Sequence, residues 1–162
     1  MVRDRDDSGR ARNARPRDEL GRPLPKGVRG EPRISEDAVF TPLEALTIAQ
    51  DLFDRGMAFH AHEVFESMWK RADDDDRELW RGLAQLAVAI THAQRGNPTG
   101  AVKLLDRATG ALDGVPDDVT APHDIDAAGL VRYARTLMDD LRAGNELGPN
   151  RLRPVVLRRH IP

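Results

Sequence analysis

The sequence has no cysteine among its 162 residues. This absence excludes a disulfide-linked scaffold, a thiolate metal site and a cysteine nucleophile. Only 4% of the residues are aromatic and β-branched runs are missing, so little in the sequence favours a sheet. No run approaches the roughly 18 apolar residues of a membrane span, and the N-terminus lacks the apolar stretch of a signal peptide. We therefore expect a single-domain, soluble, cytoplasmic protein without a membrane partner.

Charge is nearly balanced overall, at a formal net charge of -2, but it is unevenly distributed along the chain. Residues 1–34 carry ten basic and six acidic side chains, and residues 149–162 carry four basic and no acidic ones. The intervening residues 35–148 carry 11 basic and 21 acidic side chains. The sequence thus predicts an acidic body, 35–148, between a basic N-terminal arm, 1–34, and a short basic C-terminal tail, 149–162.

The N-terminal arm contains four prolines, no aromatic residue and few large aliphatic ones. Such a segment cannot bury enough apolar surface to offset its own ordering entropy, so we expect it to be extended or partly disordered. Two interpretations stay open: the arms pair with the acidic body, or they remain solvated. Nucleic-acid binding is disfavoured, because the basic segments lack aromatic residues that stack on bases.

Helix start and stop signals organise the acidic body. Thr41, Pro42 and Glu44 form a capping-box start, and glycines follow several of the predicted helices. The third predicted helix is apolar almost all round, which places it at the centre of an all-α, antiparallel helical bundle. The predicted helices span residues 42–55, 58–71, 77–95, 99–112 and 126–143.

The second predicted helix has polar residues on the face that we expect to be buried. His62 and Glu66 lie four residues apart and therefore share one side of the helix, as two ligands of one metal ion would. On the third helix, Gln85 and His92 also share a face. If residues 73–76 form the turn between the two helices, Trp69 faces Trp80. His62 and Glu66 then flank Gln85, with His92 roughly 7.5 Å further along the axis.

This juxtaposition predicts a metal site made of His62, Glu66 and His92, with Gln85 as a fourth ligand or a supporting partner. Mixed imidazole and oxygen ligands favour Zn, Mn, Fe or Ni over Ca. The alternative is a buried network without metal, in which carboxylate and imidazole satisfy one another. We expect the two tryptophans to serve packing, and His60 to be exposed or at a rim.

Two segments resemble the domain of unknown function 309 family. The resemblance is carried by Phe59-His60-Ala61-His62-Glu63-Val64-Phe65-Glu66-Ser67-Met68-Trp69, by Trp80-Arg81-Gly82-Leu83-Ala84-Gln85-Leu86-Ala87, and by Thr91-His92 with Arg95-Gly96-Asn97. The sequence matches the family pattern at His62, Glu66, Trp69, Gln85, His92 and Asn97. The resemblance implies a small helical bundle, usually described as a predicted metal-dependent hydrolase.

Two functional hypotheses follow. In the first, one divalent ion activates water and Glu63 acts as the general base of a hydrolase. In the second, the chain is a non-enzymatic helical binding module, and the polar cluster is a structural hydrogen-bond network. A small-molecule ligand and a homodimer are compatible with either hypothesis.

Overall fold

Helices make up the regular structure of the computed structural model, which describes residues 15–35, 37–152 and 156–159. Over these residues the chain is an all-α bundle, which confirms the predicted fold class. Five long helices correspond to the five predicted ones, and two one-turn helices and a 3-10 turn, Ala121–His123, lie in segments predicted as loop or tail. The helices are α1 (Pro42–Asp54), α2 (Ala58–Arg71), α3 (Asp74–Gln94), α4 (Pro98–Asp113), α5 (Asp117–Thr120), α6 (Ala127–Arg142) and α7 (Pro149–Leu152).

The first helix begins where its sequence predicts. Thr41 Oγ1 accepts a hydrogen bond from the Glu44 amide at 3.2 Å, and the Thr41 amide donates to Glu44 Oε1 at 3.1 Å. These two bonds satisfy donors that the first helical turn would otherwise leave unpaired. The connection to α2 turns at Gly56, whose φ of 75° lies in the left-handed region where a side chain would be strained.

Helix α3 starts one turn earlier than the predicted residue 77. The expected acidic turn, 73–76, is instead the helix start: Asp73 caps it, and its side chain accepts from the Asp76 amide. Asp74, Asp75 and Asp76 occupy the first turn, where negative charge interacts favourably with the helix dipole. The tight connection to α2 changes how the two helices align.

The core is organised around α3, which packs against α2 on one side and α4 on the other, while α6 packs on α4. The Phe65 ring lies between those of Phe53 and Trp80, at centroid distances of 6.1 and 6.4 Å. All three rings are buried. Fully burying one large apolar side chain contributes roughly 1.5–3 kcal/mol, so this row of rings fixes α1, α2 and α3 relative to one another.

Both basic segments contact the bundle where the structure describes them. In the tail, Leu157 is fully buried, and its amide and carbonyl pair with Gln50 Oε1 and the Asp126 amide, each at 2.9 Å. The arm contacts α2 through Arg17, Asp18, Gly21 and Arg33. Parts of both predicted segments, residues 1–14 of the arm and 153–155 and 160–162 of the tail, lie outside the described residues. None of the helices described has the length and apolar character needed to cross a membrane.

Candidate functional site: the polar face of helix α2

Helix α2 presents two faces because its buried residues and its polar residues follow different helical rows. The buried row includes Ala58, His60, Ala61, Val64, Phe65 and Ser67. A second row, which we call the motif face, consists of Phe59, His62, Glu63 and Glu66. These residues recur at intervals of three or four positions and therefore lie on one side of the helix. The expectation that His62 and Glu66 sit on the buried stripe is wrong, because their side chains are 18% and 39% exposed, whereas Val64 and Phe65 are fully buried.

His62 and Glu66 contact each other on the motif face. His62 Nε2 lies 3.4 Å from Glu66 Oε2, and Lys70 Nζ lies 3.2 Å from Glu66 Oε1. His62 Nδ1 bonds the Phe59 carbonyl, which can only accept, so Nδ1 donates. The hydrogen bond with His62, assisted by Lys70, outweighs partial burial and lowers the pKa of Glu66 to about 2. Glu66 is therefore a carboxylate at neutral pH.

The other two predicted ligands have different surroundings. His92 Nδ1 accepts from Asn97 Nδ2 at 3.0 Å, while Asn97 Oδ1 accepts from the Gly100 amide at 3.1 Å. Asn97 thus caps α4 and ties the end of α3 to it. Gln85 Oε1 is buried and has no hydrogen-bond partner among the described residues.

The alignment of α2 and α3 also differs from the prediction. Trp80 packs on Phe65, which lies about one helical turn from the predicted partner Trp69. Trp80 is buried, as expected, but Trp69 is 36% exposed, so its predicted packing role is only partly met. Throughout the described ranges, no group of three or more His, Cys, Asp or Glu side chains is placed to hold a metal ion.

Glu63, the residue expected to act as general base, is bound by the N-terminal arm. Arg33 donates from Nε to Glu63 Oε1 at 3.0 Å and from Nη2 to Oε2 at 2.7 Å. The two side chains are only 24% and 13% exposed. This two-point geometry is the strongest form of a guanidinium–carboxylate pair, because both carboxylate oxygens are used at once.

His60 extends the contact with the arm. It is 1% exposed, so the expectation of an exposed or rim position is wrong. Its Nε2 lies 2.9 Å from the Asp18 carbonyl, to which it donates, and its Nδ1 lies 3.7 Å from Glu63 Oε1. A buried imidazole needs such a partner, and the arm backbone supplies it.

Phe59 is the apolar centre of the same contact. The guanidinium carbons of Arg17, Arg33 and Arg95 lie 5.1, 5.8 and 5.5 Å from its ring centroid, within the range of cation–π attraction. Burial and then the charges of Arg33 and Arg95 lower the pKa of Arg17. Gly21 lies against the ring so closely that a Cβ there would come within 2.0 Å of Phe59 Cγ. Any other residue at position 21 would therefore displace the arm or the ring.

The arm itself is ordered around Asp18. Asp18 Oδ1 accepts from the amides of Leu20 and Arg22, at 3.0 and 2.8 Å, and Oδ2 accepts from Arg22 Nε at 2.8 Å. Burial alone would raise the pKa of Asp18. These hydrogen bonds lower the pKa by a larger amount, so the net shift is downward. Arg95 at the end of α3 then holds this turn by donating twice to the Leu20 carbonyl, at 3.1 and 2.8 Å.

The contribution of Phe59, His60, Gly21 and Arg33 to one contact was missed at the level of the sequence. A signal was present in Asp18, Gly21, Arg22 and Pro23, since Asp, Gly and Pro at such spacing are typical of a stable turn. What no pattern in the arm indicates is where on the bundle this turn packs.

Fold and site together define a small helical bundle whose second helix carries a histidine- and glutamate-bearing face. The model of the family described as "Domain of unknown function (DUF309)" matches residues 46–104, which include this face, and so confirms the resemblance. No solved structure matches the chain.

Two curated relatives are similar to parts of this chain. One is "Uncharacterized protein YpuF" of Bacillus subtilis (strain 168), 42% identical over 48 residues, or 29% of this chain and 28% of that protein. The other is an "Uncharacterized protein" of Aquifex aeolicus (strain VF5), 28% identical over 76 residues, or 46% of this chain and 23% of that protein. The match thus spans only about a quarter of the length of each relative.

Proposed function

We propose that this chain is a non-enzymatic helical binding module, in which Phe59, His60 and Glu63 of α2 hold an extended protein segment. In the structure that segment is residues 15–34 of the chain's own arm. The observation that carries the proposal is the two-point pair between Glu63 and Arg33, at 3.0 and 2.7 Å. Phe59 and His60 support it with a ring face and a backbone hydrogen bond.

The environment of Glu63 favours binding over catalysis. A general base needs a carboxylate oxygen within hydrogen-bond reach of the proton that it removes. Both oxygens of Glu63 instead accept from Arg33, and the side chain is 13% exposed. Breaking a charge-assisted pair of this kind is costly, so its geometry suits a structural contact better than proton transfer.

Hydrogen exchange of the full-length protein tests this proposal. Glu63→Gln removes the charge that holds Arg33, so arm amides that donate to arm carbonyls, such as Leu24 to Pro16 and Glu31 to Arg17, are expected to exchange faster. Glu66→Gln is the matched control on the same face, three residues away, and is expected to leave those amides protected. Equal protection of the arm in both variants would contradict the proposal.

A metal-dependent hydrolase is the second candidate, favoured by the orientation of His62. Its Nδ1 donates to the Phe59 carbonyl while Nε2 faces Glu66 at 3.4 Å, and histidine ligands of metals often donate their other nitrogen in this way. The donor set is nevertheless incomplete, since catalytic zinc usually takes three protein ligands. His92 is bonded to Asn97, so we derive no hydrolytic step from this arrangement.

Metal analysis of protein purified without an affinity tag distinguishes the two candidates. The binding module is expected to contain no stoichiometric Zn, Mn, Fe or Ni. A stoichiometric metal ion that disappears in both His62→Ala and Glu66→Ala, while the helical circular dichroism signal is kept, would favour the hydrolase instead.

A further inference from the structure

We propose that the arm-binding side of α2, formed by Phe59, His60 and Glu63, accepts an arginine-bearing extended segment of a partner protein in place of the arm. The arm then acts as an internal competitor that covers the arm-binding side until such a segment displaces it. This inference rests on the binding-module function above and adds the chemistry of the partner. It concerns Phe59, His60 and Glu63 on α2 and Arg95 at the end of α3.

The arm-binding side is selective for a guanidinium group. Glu63 offers two oxygens side by side, and Phe59 offers a ring whose centroid lies 5.8 Å from the same guanidinium carbon of Arg33. Arginine is planar and can use both features together, whereas the ammonium of lysine is a point charge without a two-pronged donor. The geometry therefore predicts that arginine binds here in preference to lysine.

The remaining contacts recognise main-chain atoms, which any extended segment possesses. His60 Nε2 bonds the Asp18 carbonyl at 2.9 Å, and Arg95 bonds the Leu20 carbonyl. The close approach of Gly21 to Phe59 adds one sequence requirement, a residue without a side chain over the ring. The partner segment is therefore expected to carry both arginine and glycine.

The arm is held in a way that permits exchange. Within residues 15–35, which the structure describes, only Gly21 is buried, and Val28 is 47% exposed. Ile34 packs against the hydrophobic core but is only partly buried, so the contact relies mainly on polar and cation–π interactions, which is characteristic of segments that open locally. Because the arm is tethered to the bundle, it acts at an effective concentration of about millimolar. A partner segment must therefore bind tightly enough to displace an arm present at that concentration.

A labelled peptide of residues 15–35 serves as the probe for the partner segment, measured by fluorescence anisotropy against the full-length protein. Replacing both Arg17 and Arg33 by alanine weakens the internal competitor. We expect this double variant to bind the peptide at least about tenfold more tightly than the wild type. Arg29→Ala, in an exposed part of the arm, is the matched control and is expected to bind as the wild type does.

Two changes test the chemistry of binding. Adding Glu63→Gln to the double variant is expected to abolish the gain, and a peptide with lysine at position 33 is expected to bind at least about tenfold more weakly. A double variant that binds no more tightly than the wild type, or that keeps its gain with Glu63→Gln, overturns the proposal.

Hydrogen exchange separates failure of this inference from failure of the proposed function. Arm amides that are unprotected in the wild type contradict the binding module itself. Arm amides that are protected in the wild type and released in the double variant, without peptide binding, overturn the partner segment alone. If the double variant does not fold, excess unlabelled peptide must speed exchange of the wild-type arm amides, and unchanged exchange overturns the inference.

Discussion

Two glutamates on the same side of α2, Glu63 and Glu66, have different interaction partners. Glu63 is held by Arg33 from the arm and is 13% exposed. Glu66 contacts His62 and Lys70 of its own helix and is 39% exposed. At the scale of single residues, therefore, long-range pairing and burial distinguish the residue that holds the arm from the one that stabilises α2 locally.

Glu66 is expected to make folding stability depend on pH in the acid range. Because its pKa falls from 4.5 to about 2 on folding, its stabilising effect is present above pH 4.5 and is lost as pH falls toward 2. Solvent screening reduces the effect for a side chain this exposed, so Glu66→Gln is expected to cost about 1 kcal/mol at neutral pH. Urea unfolding of both proteins at neutral pH and near pH 2 measures this, and an equal cost at both values would refute it.

Tyr133 offers a second titration, since it is the single tyrosine of the sequence. Burial raises its pKa from 10.0 to about 12, and its hydroxyl donates to the Arg151 carbonyl at 3.1 Å. The stabilising effect is therefore present below pH 10 and is lost as pH rises through 12. The phenolate absorbance of the folded protein is expected to reach half its final value near pH 12. Half-titration near pH 10 would show that the ring is solvated.

At the scale of elements, helix limits were more predictable than helix faces. The capping box at Thr41 is local chemistry and was correctly interpreted, and α2 spans the predicted residues 58–71. The start of α3 was not predictable in the same way, because Asp73 to Asp76 can form either a turn or a capped first turn. Trp80 accordingly packs on Phe65, about one helical turn from its predicted partner Trp69.

Asn97 is expected to stabilise the α3–α4 connection through both ends of its amide. Asn97→Ala removes the cap on the Gly100 amide and the hydrogen bond to His92, and is expected to cost about 1–2 kcal/mol. Asn145→Ala is the control, because Asn145 is exposed and lies 3.5 Å from Asp140, and it is expected to change stability by less than about 0.5 kcal/mol. Equal unfolding free energies for the two variants in urea would contradict this role.

At the scale of the whole molecule, the charge pattern left open whether the arms pair with the acidic body or remain solvated, and it did not indicate a place of contact. Residues 35–148 carry 21 acidic side chains, and the arm contacts Glu63. The arm docks at Glu63 because this side chain is largely buried beside Phe59, His60 and the turn around Asp18. Tertiary packing brings these residues together, so patterns within single segments of the sequence could not reveal the docking place. The predicted metal site likewise depends on the relative alignment of two helices, and it stays a prediction.

Deletion of residues 1–34 is expected to destabilise the bundle because it uncovers Phe59 and leaves His60 and Glu63 without the arm. A loss of a few kcal/mol lowers the melting temperature of a domain of this size by several degrees, by roughly 2–4 °C for each kcal/mol. Differential scanning calorimetry of the two proteins measures the shift. An unchanged melting temperature would show that the arm contributes nothing to the fold.

The coupling between Arg33 and Glu63 is the central claim, and a double-mutant cycle measures it directly. Urea unfolding of the wild type, Arg33→Ala, Glu63→Gln and the double variant yields the interaction free energy of the pair. A largely buried, two-point pair is expected to contribute about 1–3 kcal/mol. An interaction free energy of zero would mean that the arm does not use Glu63, and the binding-module account would be contradicted.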